Sequence, residues 1–164
     1  MRKVFDPGEL ELWDIQGDPN QVFEIQGKIK ELLQANRQRR PVLRDEIGSR
    51  GAWALPGVIN ATYVWMKDLE RKPTQKMMAK LMAEMARDNP AATGLLFRAG
   101  VLRTPFEIPR AICSRALETL GWQPDPKQTD ALREEIELAK RSGDTQTMLD
   151  LYPLLLRLGD RRDL

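Results

Sequence analysis

Hydrophobic positions in this chain recur at steps of three and four over most of its length, the period of helices that bury one face. Val22, Ile25, Ile29 and Leu32 form one such series and predict a helix from Pro19 to about Asn36. Pro41 opens a short helix through Ile47, stopped by Gly48 and Gly51. Val58, Thr62, Trp65 and Leu69 share one face of a helix over residues 57–71, which Pro73 ends. Met77, Met78, Leu81, Met82 and Met85 form a stripe over residues 74–87, and residues 91–99 make a short apolar helix closed by Gly100. Ile108, Ile112, Ala116 and Leu120 line a helix over 105–120, with Gly121 just past its end. Residues 126–142 and 144–158 form a helical hairpin around Ser142-Gly143.

The starts of these runs carry a common signature. Asp6-Pro-Gly-Glu9, Asp18-Pro-Asn-Gln21, Thr104-Pro-Phe-Glu107 and Asp125-Pro-Lys-Gln128 all place an oxygen-bearing cap before proline and a Glu or Gln three residues after the cap. The cap accepts from a free amide in the first turn, proline gives up an amide that would have no partner, and Glu or Gln reaches back to the cap. Helices are therefore expected to start at Pro7, Pro19, Pro105 and Pro126, with further starts at Asn89-Pro90 and Asp144. The irregular spacing of the four boxes speaks against a tandem repeat. Strand competes with helix only over residues 9–25, where Leu10 and Leu12 alternate and Gly17-Asp18-Pro19 offers a turn. The box and the longer period beyond Val22 favour helix there, while residues 10–15 stay open between the two.

The pattern predicts an all-α fold, an irregular bundle of about seven to nine helices. A helical body over residues 1–121 is followed by a C-terminal hairpin over 122–164, the boundary falling at Gly121-Trp-Gln-Pro-Asp125. The last helix is apolar nearly all the way round, with Asp150 and Arg157 leaving one thin polar strip. Its hairpin mate offers only Leu132, Ile136 and Ala139 among charged residues, too little to cover it. The helix must bury against the body or against another chain, and Pro153 should kink it.

Composition narrows the chemistry. The 164 residues suit one domain, and 41% hydrophobic with 30% charged residues is ordinary for a globular chain. No apolar run approaches the roughly 20 residues of a membrane span, and the N-terminal sequence lacks the apolar segment of a secretory signal. With one cysteine, Cys113, no internal disulfide is expected, and the setting is cytoplasmic, in a cell or an infected host. Histidine is absent, which removes the commonest general base, the usual zinc ligand and every Ser-His or Cys-His arrangement. No Gly-rich phosphate loop appears, and Glu134, Glu135 and Glu137 alternate with basic residues as on a solvated face. No catalytic residue, metal ligand, cofactor or small-molecule substrate is assigned.

Three features remain. The methionine stripe could serve as an adaptable peptide groove, but its narrow face flanked by Lys76, Lys80, Glu84 and Arg87 reads as core. Arg37, Arg39 and Arg40, with Arg44 close by, form the densest basic patch. They suit phosphate binding, or a solvated loop at a helix C-terminus where the dipole favours cations. The helix after Gly57 makes a poor groove reader, because it lacks Lys or Arg before Lys67 and follows too long a turn. The apolar stretch Gly51-Ala-Trp-Ala-Leu-Pro-Gly57 must either plug the core or offer an anchor to a partner.

The leading expectation is a non-enzymatic protein that acts by association with a protein partner or with itself: an adaptor, a chaperone-like factor, or a structural subunit of a larger assembly such as a viral particle. Trp53, Leu55, Leu151, Tyr152, Leu155 and Leu158 are the expected contact residues. The alternative is nucleic-acid binding through Arg37, Arg39, Arg40 and Arg44.

Overall fold

In the computed structural model, which describes residues 19–102 and 106–157, the chain is all-α, and those residues hold eight α-helices and no strand. They are α1 (Pro19–Gln34), α2 (Arg40–Gly48), α3 (Leu55–Val64), α4 (Lys72–Ala86), α5 (Pro90–Gly100), α6 (Glu107–Leu120), α7 (Pro126–Ser142) and α8 (Thr145–Arg157). Two short 3-10 turns, Gly51–Ala54 and Met66–Leu69, flank α3.

Local sequence explains most of the boundaries. The Asp125 carboxylate accepts from Gln128 N at 2.8 Å while the Gln128 side chain accepts from Asp125 N at 3.1 Å, closing the expected box at the head of α7. Asn89 caps α5 by accepting from Ala92 N, and Asp144 accepts from Thr147 N in the first turn of α8. Gly121 and Gly143, with φ of 67° and 72°, end α6 and α7 in the left-handed region where a side chain would strain. The Thr104 box behaves differently. Residues 103–105 lie outside the described segments, and α6 begins at Glu107, with Phe106 as a cap that makes no side-chain bond. Pro7 and the open stretch 10–15 also lie outside them.

The region 51–71 departs most from its expected form. A single helix over 57–71 is replaced by a 3-10 turn, a helix that starts two residues earlier at Leu55, and a break at Trp65. The break coincides with a tertiary contact. Trp65 Nε1 donates to the Gln26 carbonyl of α1 at 3.0 Å, and Lys30 sits over the indole at 4.4 Å, so the ring is held against α1 at the residue where the helix breaks. Leu55 through Tyr63 are all buried, so α3 is enclosed up to its last residue, Val64, which is exposed. Residues 51–66 carry no charge, the sequence signal of that enclosure.

Around α3 the bundle closes in pairs: α1 packs on α3, α6 on both α4 and α5, and α8 on both α7 and α6. One continuous apolar cluster runs from Ile25, Ile29 and Leu32 of α1 through Met78, Leu81 and Met82 of α4 and Ile112 of α6 to Leu151, Leu154 and Leu155 of α8. The methionine stripe is core, with Met78 and Met82 wholly buried. Helices α5 and α6 meet closely because Gly100 has no side chain: a Cβ there would lie 2.7 Å from the Ser114 backbone nitrogen.

Candidate functional site

The 3-10 turn Gly51–Ala54 sends two neighbouring apolar residues to opposite fates. Leu55 is fully buried in the core, whereas Trp53 is 64% exposed. Gly51 takes the turn through φ 68°, and buried Ala54 and Leu55 then fix the backbone, so the indole stands out from a rigid base. Trp53 has no ring or cation partner among the described residues. Val42 on α2, the helix packed beside this turn, is also exposed.

Helix α8 divides in the same way. Leu151, Leu154 and Leu155 are buried, and Thr147 joins them. Leu149 and Leu156, seven positions apart, are 64% and 50% exposed, with half-buried Pro153 between them. Tyr152 is half-buried under Lys140 of α7, whose ammonium lies 5.8 Å from the ring centroid. The tyrosine contact holds the Lys140 ammonium above its usual lysine range.

Three of the expected contact residues are therefore corrected. Leu55, Leu151 and Leu155 face the chain's own core, because α3 is enclosed and α8 finds cover on α6 as well as α7. Leu158 lies outside the described residues. Trp53 and, in part, Tyr152 reach the surface, and Leu149 and Leu156 take the place of the buried leucines. These two were readable as the leucines opposite Leu151 and Leu154 on the helical wheel.

Asp150, one of the two residues expected to form the thin polar strip of α8, is not on the surface. Asp150 turns inward: its carboxylate accepts from Arg110 Nε of α6 at 3.3 Å and from Gln146 Nε2 at 3.0 Å, and the side chains of the ion pair are only 9–10% exposed. Burial pushes the Asp150 carboxyl above its ordinary range, against the pull of Gln146 and Arg110. Asp144 goes the other way, held down by hydrogen bonds from the Thr147 hydroxyl and backbone. Cys113 is fully buried in α6, and desolvation pushes its thiol far above the usual cysteine value, which makes it a poor nucleophile.

The basic residues sit at the bend between α1 and α2. Arg37, Arg39 and Arg40 are exposed and Arg44 is half-buried. Arg40 is held in place, its Nε donating to the Ala35 carbonyl just past the end of α1 at 3.1 Å. Among the described residues no group of His, Cys, Asp or Glu is arranged to hold a metal ion, and no helix is long and apolar enough to cross a membrane. No family model, curated protein or solved structure matches this chain.

Proposed function

We propose that this protein works without catalysis, by binding another protein through the Trp53 turn, with the outer face of α8 as a second contact. The exposed Trp53 side chain carries the reading. A rigidly presented, unpartnered tryptophan has the form of an interface anchor, since tryptophan dominates binding hot spots and loses little conformational freedom when covered. Leu149 and Leu156 add a two-turn apolar stripe on α8 suited to a helix or strand laid across it. The absence of histidine and the burial of the single thiol leave little for covalent or acid–base chemistry. An adaptor, a chaperone-like factor or a subunit of a larger particle, viral ones included, in a cytoplasmic setting, fits this reading.

A photo-crosslinking residue placed at position 53 tests it in cells that make the protein. A discrete adduct with one protein partner, or with a second copy of the chain, is expected at 53 and not at the exposed control position 127. Trp53→Lys should abolish the corresponding complex in sedimentation while leaving the circular dichroism spectrum unchanged. Equal labelling at both positions, or a complex indifferent to Trp53→Lys, would sink the reading.

A further inference from the structure

The basic bend between α1 and α2 does not stand alone. It borders a cleft of about 150 Å³ between the end of α1 and the start of α4. Arg40, Arg71 and Thr74 line it together with the apolar Leu32, Leu33, Pro73 and Met77. The chain brings together two arginines 31 positions apart in sequence, which no local motif would reveal.

Neither arginine has a carboxylate partner among the described residues, and nor do Arg37 and Arg39 at the bend. Elsewhere around α1 the cations are matched: Lys28 with Glu46, Lys30 with Asp68 and Arg50 with Glu24. Two unpaired guanidinium groups facing one small cleft repel each other, and an oxyanion between them converts that repulsion into two charge-assisted contacts. The bond from Arg40 to the Ala35 carbonyl occupies Nε and leaves both Nη atoms available, so its fork is oriented in advance. Thr74 supplies a hydroxyl to the same cleft.

We propose that this cleft seats one phosphate of a nucleic-acid backbone, with neighbouring phosphates taken by Arg37 and Arg39 at the bend. The volume admits a phosphate group. The exposed cations that continue beyond Arg40 along the bend match a run of phosphates better than an isolated anion. The contact is to backbone, so little sequence preference is expected. This inference is independent of the Trp53 reading, from which it differs in both residues and ligand.

Fluorescence anisotropy of a short labelled oligothymidylate against the full chain tests it. Binding should appear at low salt and weaken with a log–log slope of roughly −2, as about three phosphate contacts on a single strand require. Arg71→Ala and Arg40→Ala should each weaken binding about tenfold. Lys127→Ala on the far helix α7 should not change it, and circular dichroism should confirm that each variant is folded. Absence of binding at low salt overturns the proposal. So does an Arg71→Ala variant that binds like the parent while Arg37→Ala or Arg39→Ala fails, because the bend alone would then suffice. Displacement of the oligonucleotide by inorganic phosphate or a phosphopeptide at equal concentration would also overturn it, marking a seat for a lone phosphate.

Discussion

The buried pair Arg110–Asp150 joins the hairpin to the body, and its energetics can be separated by substitution. Removing the Asp150 side chain leaves the Arg110 guanidinium buried without its acceptor, a change that costs about 3 kcal/mol for pairs of this kind. For a chain of this size that corresponds to a fall in Tm of about 6–12 °C for Asp150→Ala. Asp150→Asn should be much milder, within about 1 kcal/mol, because the carboxamide keeps an acceptor oxygen for Arg110 while losing the charge that burial penalises. Asp144 also remains within the field of Arg110. Replacing both partners, Arg110→Met with Asp150→Leu, removes two desolvation penalties and should leave the protein equally stable or more stable by about 1–4 kcal/mol.

The pH dependence follows from the direction of the Asp150 shift. Its folded pKa lies above the ordinary value of 3.8, so the folded state holds this proton more tightly than the unfolded chain does. Its contribution to stability is fully present below 3.8 and is lost as pH rises through the raised value. Glu24, Glu46 and Asp144 run in the opposite sense: their pKa values are lowered, so their contributions are lost as pH falls through the folded values. Comparing parent with Asp150→Asn isolates the first effect. The parent should gain on the variant as pH is lowered from neutrality toward 3.8, measured by urea unfolding at each pH. A parent that loses ground over that window would refute the argument. So would an Arg110→Ala/Asp150→Ala double variant as unstable as the sum of the two single alanine variants, because the pair would then contribute nothing as a pair.

Two further outcomes follow from packing. Gly100→Ala should destabilise by about 1–3 kcal/mol through overpacking against the Ser114 backbone, whereas Gly27→Ala, in open space within α1, should stabilise by about 0.5–1 kcal/mol; thermal melts of the two distinguish close approach from a general glycine effect. Cys113 should resist a thiol reagent such as DTNB in the native protein and react at the rate of a free thiol in denaturant, so native-state labelling within minutes would contradict its burial.

Structure is legible in the sequence where its cause is local. The caps at Asn89, Asp125 and Asp144, the proline at the head of α1 and the glycines after α6 and α7 all act within one turn of themselves, so their chemistry is written in adjacent letters. It is not legible where a distant group takes part. Nothing near Trp65 foretells a break, and the Gln26 carbonyl that holds its indole lies 39 positions away. Asp150 reads as a surface residue until Arg110, 40 positions earlier, arrives beside it. The same holds for Arg71: alone it is one exposed cation before a helix, and only the fold sets it in one cleft with Arg40.

The leucine-rich helix α8 shows why its covering problem has two answers at once. At about 100° per residue, Leu154, Thr147, Leu151 and Leu155 span one arc, and all four are buried. Leu149 and Leu156 fall close together on the opposite side, so no rotation of α8 about its axis can bury both sets against α6 and α7. Asp150 sits at the edge of the buried arc, and its bond to Arg110 fixes the rotation. A turn that covered Leu149 and Leu156 would carry Asp150 away from Arg110 and expose Leu151 and Leu155 instead. The core therefore satisfies one face of the helix and leaves the other as a fixed apolar stripe, which further burial can reach only through contact from outside α6 and α7.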